Sequence, residues 1–172
     1  MIIEARRQFE LAWSLAELHL AELVDEDFLW EPASLCWTVR QDEAGVWRPD
    51  WAEAEPDPIP VPTIAWLSWH IDYWWSAAIA ALTDRKGRDW SEVVWAGDGP
   101  AAVARLRALA VDWREVLADI GERDLTAAAT FPWGADTEHT VADTVLWVTV
   151  ELTKNISEIG QLRLIRAATA AA

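Results

Sequence analysis

The chain has 172 residues, of which 52% are apolar, so it can bury one substantial core and is predicted to form a single domain over residues 1–172. Asp and Glu total 29 against 14 Lys and Arg, which gives a formal net charge of −15. This charge repels phosphate backbones and anionic membranes, so neither nucleic acid nor a membrane is an expected partner. With no signal sequence, no apolar stretch of spanning length and the single Cys36, a soluble cytoplasmic protein is expected.

The N-terminal segment carries apolar residues at helical spacing and predicts an amphipathic helix over residues 2–24. We expect the acidic run Asp25-Glu26-Asp27 to end this helix, because negative charge is unfavourable at a helix C-terminus. The residues expected to face the core are Phe9, Trp13, Ala16, Leu20 and Leu23.

The composition of the chain changes over residues 28–62, which become rich in proline and tryptophan. This composition predicts a long crossover between the first and second helices. Six prolines exclude a continuous helix. Four tryptophans (Trp30, Trp37, Trp47 and Trp51) indicate that the segment packs against the rest of the molecule. A short extended piece is expected over residues 36–40, but no strand pair is expected. Packed crossovers of this kind often cover the mouth of a site.

Three further helices are predicted over residues 63–82, 100–120 and 139–166. Thr63 is a plausible cap, Pro100 suits a first helical turn, and Thr140 with Asp143 resembles a capping box. Each of these helices has a stripe of residues expected to face the core. In the second predicted helix the stripe is Trp66, His70, Tyr73, Trp74 and Ala77. In the third it is Val103, Leu106, Leu109, Ala110, Trp113 and Leu117, and in the fourth it is Val141, Val145, Val148, Leu152 and Ile159. The expected fold is all-α, a four-helix bundle.

Polar residues fall on the faces that these helices turn to the core. At about 100° per residue, Asn155 lies inside the apolar stripe of the fourth helix, Glu151 and Glu158 lie at its border, and Lys154 lies further round. His70 is the corresponding polar residue of the second helix, where it stands among Trp66, Tyr73 and Trp74. If the two helices face each other, these polar residues converge on one site.

The same residues have a purely structural interpretation. His70 alone is more often a hydrogen-bonded core histidine, and the two glutamates could be a half-exposed pair bonded to Lys154 or Arg163. His19 and His139 are expected at the surface. Most of the 14 tryptophans are expected to fill gaps between helices, and several could line a ligand pocket as well.

Two motifs carry a resemblance to a known family. Trp66-Leu67-Ser68-Trp69-His70-Ile71 is similar to a W-x-x-x-H-I/L pattern, and residues 151–163 are similar to E-L-x-H-H-x-x-E-I-G-x-L-R. Residues 35–40 and 131–134 also look familial. Together they resemble the DinB-like (YfiT-like) family, near its mycothiol-dependent branch.

The resemblance implies a four-helix bundle whose members often hold a divalent metal, commonly zinc or nickel. By its motifs the ligands would be His70, Glu151 and Asn155, while the register of other members points to Lys154 and Glu158. Related members are thiol transferases or isomerases that act with mycothiol or bacillithiol. This chain departs from the pattern because Lys154-Asn155 replaces the expected His-His pair, which implies a degenerate metal site.

Three functions therefore stay open. The first is a small-molecule enzyme of the thiol-dependent transferase or isomerase class, with His70, Glu151 and Glu158 as catalytic residues. The second is a metal-free binding protein, or a metal-independent catalyst, whose core pocket takes a hydrophobic or aromatic ligand; the binding residues expected for it are Trp66, Tyr73, Trp74, Lys154 and Asn155. The third is a homodimeric interaction module.

Overall fold

A computed structural model describes residues 1–83, 85–135 and 138–170 of the chain. The helices, in chain order, are α1 (Ile2–Leu20), α2 (Asp25–Phe28), α3 (Ile64–Ala81), α4 (Gly99–Asp119) and α5 (Val141–Ala170). The short strands are β1 (Cys36–Trp37), β2 (Val39–Gln41), β3 (Trp47–Pro49) and β4 (Val61–Pro62). Residues 84, 136, 137, 171 and 172 of the predicted domain lie outside the described residues.

The four long helices α1, α3, α4 and α5 form a bundle, as predicted. α3 packs against both α4 and α5, and α1 packs against α5 and α4. The inward stripes predicted for α1 and α4 are confirmed, except that Leu23 lies beyond the end of α1 and is partly buried. In the part of the chain that the structure describes, no helix is both long enough and apolar enough to cross a bilayer.

The helix starts follow the capping residues. Thr63 Oγ1 accepts a hydrogen bond from the Trp66 backbone N–H at 3.2 Å, and Asp98 Oδ1 accepts one from Ala101 at 2.7 Å. Asp143 Oδ2 accepts from the Thr140 backbone N–H at 2.7 Å, which is one half of the expected capping box.

Two helix ends differ from the predictions, and one short helix was not predicted. α1 ends at Leu20, four residues early, because the acidic run Asp25-Glu26-Asp27 begins the separate short helix α2. Negative charge favours a helix N-terminus, so the same residues that oppose the end of one helix support the start of another. α5 continues to Ala170, since alanine has the highest helix propensity and nothing in the sequence stops it.

α3 is buried on most of its circumference, so the single inward stripe predicted for it is too narrow. Trp66 and Trp74 are buried as predicted, but residues outside the stripe are buried too. Its buried residues include Leu67, Trp69, Ile71 and Trp75, whereas Tyr73, predicted to face inward, is only half-buried. The reason is that α3 contacts two long helices and the crossover together, and a helix that is apolar all round is typical of such a central position.

The crossover forms two strand pairs, which corrects the expectation of none. β1 pairs with β4 in parallel, with Cys36 opposite Val61, and β2 pairs with β3 antiparallel. The extended piece expected over residues 36–40 is confirmed. Strands of two or three residues are too short to show an alternating pattern, so the sequence could not reveal their pairing.

The crossover is fixed to the start of α3 by polar contacts. The Trp66 indole Nε1 donates to the backbone carbonyl of Asp50 at 2.8 Å, and the Thr63 backbone N–H donates to the carbonyl of Trp37 at 2.8 Å. Trp51 stacks on Trp90, with ring centroids 5.1 Å apart. These contacts hold the end of the crossover beside one end of the bundle.

Candidate functional site

A cavity of about 500 Å³ lies between the crossover, α3 and α5. α3 contributes Trp66, Leu67 and His70 to it, and α5 contributes Lys154, Asn155 and Glu158. The crossover supplies the remaining lining residues: Trp37, Trp51, Ala52, Glu53, Glu55, Ile59, Pro60 and Pro62. The cavity therefore contains polar residues of both helices that the sequence placed on core-facing positions.

Three aromatic rings follow one another in the cavity lining. Trp37 of β1 stacks on Trp66, with ring centroids 4.9 Å apart and an interplanar angle of 18°. Trp66 in turn stacks on His70, with ring centroids 4.9 Å apart and an angle of 20°. Trp66 and His70 lie one helical turn apart on α3, which brings their rings onto the same face. The stack gives the cavity an aromatic wall in which the middle ring, Trp66, is covered by its two neighbours.

His70 is held in its neutral form. Burial lowers the pKa of this imidazole to about 4, and the positive charge of Lys154 lowers the pKa further in the same direction. Its Nδ1 is buried and has no hydrogen-bond partner among the described residues. At neutral pH the ring is thus an uncharged group that can donate and accept hydrogen bonds.

Asn155 joins α5 to α3 beneath the cavity. Its side chain is fully buried, as its place in the apolar stripe predicts. Its carbonyl Oδ1 accepts a hydrogen bond from the Trp74 indole Nε1 at 3.0 Å, and its Nδ2 donates to Glu158 Oε2 at 3.3 Å. Both polar ends of the amide are therefore paired within the protein.

Lys154 lies between the two border glutamates of α5. Its Nζ is 3.4 Å from Glu151 Oε1 and 3.7 Å from Glu158 Oε1. These are spacings of three and four residues on one helix, at which side chains are neighbours. The ammonium thus places a positive charge next to both carboxylates.

The residues present do not fit the divalent-metal site that the family resemblance implies. Within residues 1–83, 85–135 and 138–170, no group of three or more His, Cys, Asp or Glu side chains is arranged to hold a metal ion. Asn155 already gives its carbonyl oxygen to Trp74, and the ammonium of Lys154 contacts the two carboxylates. A dication at this position would meet a fixed positive charge and a donor set poor in imidazole.

The predicted site residues divide into three groups. His70, Trp66, Lys154, Asn155 and Glu158 line one cavity, as the hypothesis of facing helices expected. Glu151 and Trp74 are not among its lining residues but contact members of it, Lys154 and Asn155 respectively. Tyr73 does not line it and instead stacks on Trp69, with ring centroids 5.8 Å apart.

The crossover residues of the cavity were not predicted as site residues. Trp37, Trp51, Glu53 and Glu55 reach it through the crossover, and the one signal in the sequence was the density of tryptophan and proline in that segment. Nothing local could indicate which of its side chains turn towards α5.

Three other residues of interest lie away from the cavity lining. His19, expected at the surface, is half-buried with its Nδ1 enclosed, because its ring packs against Gly160 of α5. His139 is also half-buried and stacks on Trp133. Burial raises the pKa of the Cys36 thiol to about 11, so this cysteine stays protonated at neutral pH.

A larger open depression of about 680 Å³ lies at another place on the molecule, between the end of α3, α4 and the start of α5. An ion pair between Arg85 and Asp112, 2.7 Å apart, forms part of its lining. It contains none of the predicted site residues and no aromatic side chain. The smaller cavity is therefore the better candidate, because apolar rings and convergent polar groups are what ligand sites combine.

Comparison with known proteins agrees with the bundle and its motifs. No curated protein matches the chain, and no solved structure does. The model of the DinB superfamily matches residues 8–159, a range that includes the crossover, α3, α4 and the site residues of α5. The chain therefore belongs to the DinB superfamily.

Proposed function

We propose that this protein binds a small organic ligand in the cavity beneath the crossover, and that it does so without a bound metal ion. The observation that carries the proposal is the stack of Trp37, Trp66 and His70 in a cavity of about 500 Å³. Pockets for small molecules are typically of this size, mostly apolar, and equipped with a few polar groups that orient the ligand.

The chemistry of His70 favours binding over proton transfer. A general base works best when its pKa lies near the working pH, and the pKa of His70 is about 4. At neutral pH this imidazole is a weak base but a good hydrogen-bond acceptor. Catalysis by acid and base groups would fall to Glu158, which lines the cavity next to Lys154.

The first test compares two tryptophans with similar exposure. Trp51, 39% exposed, lines the cavity, whereas Trp133, 37% exposed, does not. Trp51 stacks on Trp90 and makes edge contacts with Trp69 and Tyr73, and Trp133 stacks on His139. We expect Trp51→Ala to weaken binding of 2-phenylethanol by about tenfold in calorimetric titration, because buried aromatic contacts contribute on the order of 1 kcal/mol or more.

Trp133→Ala is the matched control and should bind 2-phenylethanol as the native protein does. Equal affinity of the native protein and both variants would place the binding site outside the cavity. His70→Ala adds a second arm: it should abolish binding while leaving the helical circular dichroism nearly intact. Loss of cooperative unfolding in this variant with binding retained would make His70 a core residue only.

The absence of a resident metal is tested separately by elemental analysis of the purified protein. Thermal unfolding with and without added zinc or nickel follows. We expect no stoichiometric metal and no rise in melting temperature that depends on His70. Near-stoichiometric zinc or nickel that is lost in His70→Ala would overturn the metal-free part of the proposal.

A further inference from the structure

The cavity carries more negative than positive charge in its lining. Glu53 and Glu55 come from the crossover and Glu158 from α5, against the one ammonium of Lys154. Both crossover glutamates are exposed, and neither forms an ion pair with any residue in the ranges that the structure describes. Their charges are available to a ligand.

The charge of Lys154 is already matched within α5. Its Nζ is 3.4 Å from Glu151 Oε1, and Glu151 does not line the cavity. Because the ammonium of Lys154 is paired with Glu151, it does not balance the three carboxylates of the lining, which are those of Glu53, Glu55 and Glu158. His70, neutral at ordinary pH, adds none. The net charge of −15 for the whole chain acts in the same direction.

The apolar part of the lining selects between kinds of cation. Trp37 and Trp51 line the cavity, and each has one stacking partner, Trp66 and Trp90 respectively, which leaves one face of each indole unstacked. The face of an indole ring attracts positive charge through its quadrupole. A hydrated inorganic ion needs several oxygen ligands in a closed shell and gains little from tryptophan. An ammonium group attached to an apolar body uses both features, since its charge meets the carboxylates and its body meets the rings.

We propose that the ligand of this cavity is an organic ammonium ion, an amine or quaternary ammonium that bears an aromatic or alkyl group. This inference rests on the proposed function and specifies the class of ligand for the same site. Anionic ligands such as organic carboxylates are disfavoured there, because the three carboxylates of the lining outnumber the one ammonium of Lys154.

The test uses three probes of similar shape and different charge: phenethylamine, 2-phenylethanol and 3-phenylpropionate. Binding to the native protein is measured by calorimetric titration at neutral pH and at low ionic strength. We expect phenethylamine to bind about tenfold more tightly than the alcohol, and the carboxylate to bind most weakly. The preference for the amine should shrink as salt is added, because exposed charges are screened.

A pair of double variants locates the charges responsible. Glu53→Gln/Glu55→Gln removes two charges from the lining, whereas Glu22→Gln/Glu43→Gln removes two exposed charges that are not in it. The first should reduce the preference for the amine over the alcohol several-fold, and the second should leave it unchanged. An equal loss in both would show that only the overall charge of the protein matters, which overturns the proposal.

The outcomes also separate this inference from the proposed function. If the amine and the alcohol bind equally, and both are weakened by Trp51→Ala, the cavity is the site but its ligand is not selected for positive charge. If the carboxylate binds most tightly, the inference is wrong and Lys154 dominates. If none of the three probes binds, both proposals fail.

Discussion

His70 is the side chain whose ionisation the fold changes most clearly. It is packed between aromatic neighbours, its Nδ1 is enclosed, and its pKa is lowered to about 4 by burial first and by the charge of Lys154 second. In the unfolded chain the same residue has a pKa near 6.5. The proton therefore binds the unfolded state more readily than the folded state.

This difference predicts how stability depends on pH. Above about pH 6.5 His70 is neutral in both states, and the contribution of its lowered pKa to the free energy of unfolding is fully present. As the pH falls from 6.5 towards 4, the unfolded chain takes up the proton first, so the free energy of unfolding decreases. The difference between the pKa of 6.5 in the unfolded chain and the pKa of about 4 in the folded protein corresponds to a loss of about 3 kcal/mol in the free energy of unfolding by pH 4. Urea unfolding at a series of pH values measures it.

His70→Gln is the control for that experiment, because glutamine does not titrate while the carboxylates of the protein titrate in both proteins. We expect the native protein to lose about 3 kcal/mol more than this variant between pH 7 and pH 4. Parallel losses would mean that the folded protein protonates His70 as easily as the unfolded chain does.

At the scale of elements, Gly160 allows α1 and α5 to approach closely. A Cβ atom at this position would lie 2.5 Å from Cε1 and Nε2 of His19, so the histidine ring occupies the space above the glycine. In an open helix, replacing glycine by alanine stabilises by about 1 kcal/mol, whereas forcing an extra carbon into a packed contact costs about 1–3 kcal/mol. The two effects oppose each other at this contact.

The effect of Gly160→Ala should therefore change sign with the residue at position 19. In the native background we expect the free energy of unfolding to fall by about 1 kcal/mol, because His19 must move. In a His19→Ala background the same substitution should raise it by about 1 kcal/mol, because only the gain in helix propensity remains. Denaturant unfolding of the four proteins completes the cycle.

Gly87→Ala is a suitable comparison, since a Cβ there would meet only Ala80, at the ordinary distance of 3.8 Å. We expect it to leave stability nearly unchanged. If Gly160→Ala stabilises the native protein, the His19 ring moves aside without cost and the two helices are not held in register by this contact.

At the scale of the whole molecule, an apolar stripe on the outside of α1 suggests self-association. Leu11, Leu15 and Leu18 follow each other at spacings of four and three residues and are 56%, 47% and 66% exposed. Contiguous exposed apolar side chains are typical of protein interfaces. If the homodimer expected from the sequence forms, this stripe is the surface that it would use.

The homodimer is tested by sedimentation equilibrium. We expect twice the chain mass for the native protein and the monomer mass for Leu15→Glu/Leu18→Glu, with association strengthened by salt because each chain carries a charge of −15. Val94→Glu, at an exposed position between α3 and α4, should remain a dimer. A native protein that sediments as a monomer at micromolar concentration would refute the expectation.

The sequence by itself determined the long helices and the polar residues on their inner faces. Apolar spacing identifies the buried faces of α1 and α4, and angle counting places Asn155 inside the stripe of α5, where it is fully buried. These features depend on neighbours within one or two helical turns, so they can be read from a short window of residues. The motifs around His70 and Glu151 likewise carried the family membership.

Only the tertiary structure decided what surrounds those residues. Asn155 bonds to Trp74, which is 81 residues away, β1 pairs with β4 across the length of the crossover, and Trp51 reaches the cavity only because the crossover packs at the start of α3. Such partners are chosen by the packing of whole elements, and no local pattern records them. Spacing along one helix shows which face a residue occupies, but the neighbour on that face is fixed only when the helices and the crossover assemble.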